Sequence, residues 1–366
     1  MIRCARCVMP NTRPDTPFVD GVCSACLTYA NRPAIDWDAR KAELIALLDR
    51  HHGRVLVPSS GGKDSTYQVL TLLGLGADVT VVTARTCHLT DVGRANIDNL
   101  ARYAPTIEVA PNMTVRAKLN RLGLELVGDI SWPEHAAIFS TPFHVAAQTG
   151  HTLLMYGECP QAEYGGPMGS EQARQMTRRW ITEFGGFLGL RPADFVGIEG
   201  ITERDMAHYQ PPATASVEAH FLGQYIPWDS RRNAEVAIRA GMQTLGYAPG
   251  PANWWSAENL DNWQTACHDA GMYRKYGFGR GCQQISVDVR AGLVNRSEAL
   301  EWVRDFDGRF DGRYAGVSCQ EGLDRLGMSA ARFVAALDVF TDWSLFDGMD
   351  GLRPLLKEFQ DGAKGN

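Results

Sequence analysis

The chain has 366 residues, 45% hydrophobic and 21% charged, with a formal net charge of −6. That composition suits two or three globular domains with a sizeable core, and the negative balance argues against a protein that coats nucleic acid non-specifically. No run of about 18 apolar residues occurs, so no membrane span is expected, and MIRCARCVMP lacks the apolar stretch of a secretory signal, which makes a cytoplasmic location the expectation.

Residues 1–30 come first in chain order. Cys4, Cys7, Cys23 and Cys26 read C-x2-C-x15-C-x2-C. Each C-x2-C turn offers two sulfurs, and two such turns complete a tetrahedron around a zinc ion. All four positions would be filled by protein, so the expected Zn²⁺ is structural; an iron–sulfur cluster on the same thiolates is the second reading. Residues 31–52 read as a connecting helix, with Trp37, Leu44, Leu47 and Leu48 roughly on one face.

From residue 53 to about 200 the pattern becomes strand, helix, strand. RVLVP (54–58), DVTVVTA (78–84), TIEVA (106–110) and HTLLMYGE (151–158) are apolar or β-branched runs separated by helical stretches, one of them capped by Thr90 or Asp91. Such alternation predicts an α/β domain with a parallel sheet covered by helices, and ligands beyond the carboxyl ends of its strands. Residues 201–366 are expected to be mainly helical, with DSRRNAEVAIRAGM, NRSEALEWVRDF and SAARFVAALDVF as capped amphipathic helices and no strand among them.

The turn between the first strand and its helix holds Ser59, Ser60, Gly61, Gly62, Lys63, Asp64, Ser65 and Thr66. Glycines allow close backbone approach, a helix start offers unpaired N–H groups, and Lys63 adds a full charge, so the cluster favours phosphate. It is not a Walker loop: position 57 is Val, and Asp64 follows Lys63.

Ser60 to Ser65, SGGKDS, resembles the pyrophosphate loop of the ATP pyrophosphatase (PP-loop, HUP-like) superfamily. That resemblance implies cleavage of ATP between its α- and β-phosphates, with Ser60, Gly61, Gly62, Lys63, Asp64, Ser65 and Thr66 on the pyrophosphate and Asp64 on Mg²⁺. Further stretches carry a narrower likeness: RCVMPNTRPDTPF, GVCSAC, KLNRLGLELVGDISWPEHAAIF, GECPQAEYGGP, LGQYIPWDSRRNAEVAI, YRKYGFGR and VRAGLVNRSEAL. Together they resemble the N-acetyl sugar amidotransferase family of the WbpG/PseA type. The resemblance implies an enzyme of surface-polysaccharide synthesis that adenylates the acetamido carbonyl of a nucleotide-linked sugar and replaces AMP by ammonia. The product would be an acetamidino group, and the ammonia would come from a separate glutaminase through a partner like the HisH–HisF pair of histidine synthesis.

Within that reading Lys63, Asp64 and Glu158 are the catalytic candidates, with Gly157 on the ATP and Thr83 and Arg85 along the adenine. Trp132, His135, Glu163, Tyr164, Tyr225 and Trp228 offer rings and polar groups for the sugar nucleotide, and Lys275 and Arg280 offer charge for its diphosphate. Nucleic acid and membrane are not expected partners; a homo-oligomer is compatible. The chain departs from the family pattern at Cys159, Cys282, Gln283 and Gln284. Cys87 and Cys159 at strand ends raise the rival reading, a sulfurtransferase that thiolates tRNA or a small molecule.

Overall fold

The computed structural model describes residues 1–346 except Pro33, Cys87, Met168, Ser170, Glu171, Thr214, Ala215 and Asp311. A small hairpin, β1 (Phe18–Val19) and β2 (Val22–Cys23), leads through α1 (Ser24–Asn31) into α2 (Trp37–Arg50). Asp36 caps α2 by accepting from the Ala39 N–H, and Leu44, Leu47 and Leu48 form its buried stripe.

The centre is a five-stranded parallel sheet. Its strands are β3 (Arg54–Pro58), β4 (Asp78–Ala84), β5 (Thr106–Val109), β6 (Leu153–Tyr156) and β7 (Glu218–Phe221), in spatial order β5-β4-β3-β6-β7. Between them run α3 (Lys63–Gly74), α4 (Asp91–Leu100), α5 (Met113–Val127), α6 (Trp132–Thr149), α7 (Pro160–Tyr164), α8 (Arg178–Phe184) and α9 (Glu203–Met206). Val55, Leu56 and Val57 of β3 are fully buried, which is why this strand reads as a continuous apolar run. Both sheet faces are covered. Leu56 and Leu154 meet α5 and α6 on one side, while Val55, Val57 and Leu153 meet α2 and α3 on the other.

The chain leaves β3 toward β4 and β5 but leaves β6 toward β7, so the direction of winding reverses between β3 and β6. A crevice outside the carboxyl ends of those two strands is the expected ligand position.

The fifth strand lies beyond residue 200, where the sequence suggested only helices. Its residues, EAHF, carry no β-branched side chain, so neither propensity nor alternation announces it. It forms by pairing with β6, Met155 opposite His220 and Tyr156 opposite Phe221. The remaining helices are α10 (Ser230–Arg239), α11 (Thr265–Tyr276), α12 (Arg280–Arg290), α13 (Arg296–Phe306), α14 (Cys319–Arg325) and α15 (Ala330–Phe340), with a two-residue hairpin, β8 (Arg313–Tyr314) and β9 (Val317–Ser318). The side chains of Asp229, Asn295 and Ser329 cap α10, α13 and α15. Among the described residues no helix is long and apolar enough to cross a membrane.

The N-terminal module does not stand apart. Cys4, Cys7, Cys23 and Cys26 share one buried cluster with Trp254, Trp255, Phe278, Cys282, Ile285, Ala299 and Val303. Arg296 of α13 donates to the carbonyls of Cys4 (2.8 and 3.0 Å) and Cys7 (3.0 Å), and Arg3 donates to Cys282 Sγ at 3.3 Å. The first thirty residues are thus a base on which α12 and α13 dock.

Candidate active site

β3 ends at Pro58 and the loop folds back on itself. Ser59 Oγ accepts from the Gly61 N–H at 2.9 Å and lies 2.8 Å from Ser65 Oγ. Gly61 takes φ +81°, and a Cβ there would meet the backbone of α4 at 2.7 Å (Ile97 N) and 2.8 Å (Asn96 C). The loop can press against α4 only because this residue is glycine. If the loop holds ATP, as its SGGKDS resemblance implies, Gly61→Ala should displace it and weaken ATP binding at least tenfold in calorimetric titration, with the melting temperature lowered by only a few degrees; unchanged affinity would show that the loop does not need this seat.

Gly62 caps α3 with no side-chain hydrogen bond. The first N–H groups of this twelve-residue helix are therefore left for a ligand. They face a cleft of about 460 Å³ lined by Ser60, Gly62, Lys63, Asp64 and Ser65 from the loop, Val82 and Ala84 from β4, and Gly157 and Glu158 from the end of β6. The far wall is Tyr164, Glu258, Asn259, Asp261, Arg280, Gln283 and Gln284. This is the crevice that the strand order marks.

Its charges are concentrated. Lys63 is 4% exposed, paired with Asp64 and 2.7 Å from Glu258 Oε1, with its ammonium 5.6 Å from the centre of the Trp254 ring. Burial pulls its pKa down, but the carboxylates of Asp64 and Glu258 outweigh burial and hold it well above the ordinary lysine value. Asp64 also accepts from Asn233 Nδ2 at 2.9 Å. Burial, reinforced by the Asp64 charge, pushes Glu158 up from 4.5 to about 7. Between those values the folded chain keeps a proton that the unfolded chain has released, so this group lowers stability as pH rises through that window. Asp261 is likewise raised by burial, to about 6. Asp64, Glu158 and Glu258 are oxygen donors of the kind that hold Mg²⁺ together with phosphate oxygens.

Other candidate residues lie elsewhere. The pleat of β4 turns Val82 and Ala84 to the cleft, Thr86 follows them, and Arg85 points to solvent. Thr83 is buried outside the lining residues. Thr66 is buried beneath the loop, its hydroxyl donating to the Gly61 carbonyl at 3.4 Å. Trp132 is fully buried, donating to the Phe187 carbonyl at 2.9 Å, and Tyr225 is buried with its hydroxyl 2.7 Å from His220 Nδ1. Trp228 packs behind Gly157 and edge-on to Tyr67.

Lys275 donates to the Val127 carbonyl, and the Glu163 carbonyl accepts from Arg290 at 2.5 Å. His135 stands beside Asp129, outside the cleft lining. Tyr164 and Arg280 do reach the cleft, and Arg280 is held by two 2.8 Å bonds to Asp269. Cys159 is buried with its sulfur 3.5 Å from Gln161 Oε1, Cys282 is buried against the N-terminal module, and Cys87 lies outside the described residues.

Glu258 is the residue that the sequence did not disclose. It sits in no recognisable motif, and only the fold carries it to Lys63. The four N-terminal thiols converge as their spacing suggested, within 4.8 Å of one another. Cys7 Sγ and Cys23 Sγ are 3.7 Å apart, and Cys4 Sγ accepts from the N–H groups of Arg6, Cys7 and Cys23 at 3.3–3.5 Å. Backbone N–H bonds of this kind favour thiolates, the form that binds metal.

Residues 257–353 match the family model described as LPS biosynthesis protein WbpG-like, C-terminal domain. No curated protein matches the chain. The matched segment contains Glu258, Asn259, Asp261, Arg280, Gln283 and Gln284, the far wall of the cleft. The segment that closes the site over the Ser59–Ser65 loop, residues 257–353, is thus similar to the C-terminal domain of WbpG-like LPS biosynthesis proteins.

Proposed function

We propose that the protein is an ATP-dependent amidotransferase of the PP-loop type acting on a nucleotide-linked N-acetyl sugar. The observation that carries this reading is Lys63: a buried ammonium at an uncapped helix start, facing a cleft whose opposite wall belongs to the WbpG-like domain. Loop N–H groups and Lys63 grip the β- and γ-phosphates. The acetamido oxygen attacks the α-phosphorus, the α–β bridge breaks and pyrophosphate departs. Ammonia then adds to the imidate carbon, sheds a proton, and AMP leaves with the former carbonyl oxygen, so two easier steps replace one difficult displacement. Mg²⁺, held by carboxylates among Asp64, Glu158 and Glu258, would neutralise charge on the departing pyrophosphate.

A second cleft of about 380 Å³ shares Glu258, Asn259, Arg280 and Gln284 with the first and is lined by Tyr247, Trp255, Trp302, Phe306, Arg309 and Tyr314. Flat rings beside guanidinium groups suit a nucleoside diphosphate sugar, and the shared wall brings its acyl group toward ATP. We assign a structural Zn²⁺ to the four cysteines. Sulfurs about 3.8 Å apart are what a tetrahedron with ~2.3 Å Zn–S bonds requires. Ammonia supplied by a separate glutaminase partner completes the scheme.

The test is product analysis. AMP and pyrophosphate should form only when an acetamido sugar nucleotide and ammonium are both present, and the sugar should gain NH in place of oxygen. ADP as product, or sulfur in place of oxygen, would overturn the assignment.

A further inference from the structure

We propose that Asp129, His135 and His268 form a second metal site, for a divalent transition ion, at the junction between the sheet domain and the C-terminal helices. Asp129 follows α5, His135 lies in the first turn of α6, and His268 is on α11. The chain therefore converges from three elements on one point. Their ligating atoms all lie within 4.8 Å of one another.

The carboxylate of Asp129 is buried at 5% exposure. Its Oδ1 accepts from the Ser131 N–H at 2.8 Å and lies 2.9 Å from His268 Nδ1. Its Oδ2 is 3.2 Å from His135 Nδ1, yet the ring is out of line for a hydrogen bond, and that nitrogen is buried with no hydrogen-bond partner. Hydrogen bonding accounts for His268, whereas His135 Nδ1 has only its 3.2 Å contact with the Asp129 carboxylate and no hydrogen bond, a weaker arrangement than buried polar atoms usually find. A cation bonded to both imidazoles and the carboxylate satisfies all three.

Room at that nitrogen is kept by Gly186. This residue takes φ +78°, and a Cβ there would strike His135 Nδ1 at 2.9 Å. The donor set identifies the ion's class. Two neutral imidazoles and one carboxylate suit Zn²⁺, Fe²⁺, Co²⁺ or Ni²⁺, whereas Mg²⁺ and Ca²⁺ want oxygen. Three protein ligands also leave a coordination position open, unlike the four-cysteine cluster. The next residue along α11, Asp269, holds Arg280, which lines both clefts, so the ion would sit directly behind the wall of the active site.

The site is tested on the full chain produced and purified with Co²⁺ as its only transition metal, so that the cysteine site stays filled and the chain folded, with bound Co²⁺ counted per chain. The expected wild-type result is two equivalents, one with an intense sulfur-to-cobalt charge-transfer band from the cysteines and one with only the weak d–d bands of nitrogen and oxygen ligands. His135→Gln and Asp129→Asn should each lose the second equivalent and keep the charge-transfer band, which also reports that the N-terminal module is folded. His135 is half-buried at its ring edge, so its variant stays informative if the Asp129 variant fails to fold. A wild type that binds only the thiolate equivalent, or an H135Q chain that still binds two, would overturn the site. Neither result bears on ATP chemistry.

Discussion

Lys63→Met should lower kcat for AMP formation by at least about a hundredfold, and by as much as a thousandfold, and should also lower the melting temperature, because Asp64 and Glu258 lose their buried cation. The lower bound is what removal of one preorganised charge-stabilising group costs in a dry site. Lys63 has no exposed role to lose. It is enclosed by Asp64, Glu258 and the Trp254 ring, and methionine fills nearly the same volume. What disappears is the charge.

Two carboxylates then face each other without their cation, and Glu158 loses the positive neighbour that partly offsets its burial. Its proton would be held to still higher pH than about 7. The Met variant should therefore show a pH–rate profile whose acidic limb moves upward, besides the fall in rate. Steady-state pyrophosphate release across pH measures both. A variant that turns over at the wild-type rate would remove Lys63 from the transition state.

The second large effect is thermodynamic. Cys23→Ser, or removal of metal by a chelator, should abolish cooperative folding of far more than the first thirty residues. A tetrahedral thiolate site contributes on the order of 10 kcal/mol, comparable to the whole stability of an ordinary domain. Because Arg296 grips the carbonyls of Cys4 and Cys7, and Cys282 donates to the Val8 carbonyl at 3.5 Å, that loss is transmitted to α12 and α13. Hydrogen exchange should show protection lost over 280–306 together with 1–30. Loss confined to the N-terminal residues, or an unchanged melt, would show the module to be independent.

Much of this was legible in the residues, for identifiable reasons. β3 is buried on both faces and so carries an unbroken Val-Leu-Val run, and β4 is written mostly in β-branched valine and threonine. The four converging cysteines are close in sequence, and the Ser59–Ser65 turn that lines the cleft is contiguous, so short patterns pick out both groups of residues. Legibility fails where a role depends on distant chain or on pleat register. EAHF becomes a strand only because β6 needs a neighbour. Glu258 reaches Lys63 through the whole fold, and the Asp129 cluster draws on three elements.

Arg85 and Thr83 illustrate the register problem: one residue's offset exchanges the cleft face for its opposite, and Val82 and Ala84 take the inner position. Trp132 and Tyr225 are aromatic residues whose polar tips found partners inside the protein. Sequence alone does not separate that use from a sugar platform.

The bond from Arg296 to the carbonyl of Cys4 spans 292 positions. On a ribosome, the cysteine segment emerges long before the helix that buries it, and must wait for it. Early metal capture would keep that waiting segment ordered and its thiols masked, while closure of the long loop sets the pace of maturation. Shortened versions lacking α13 should therefore expose a sticky N-terminal face and aggregate, so studies of this site need the intact polypeptide.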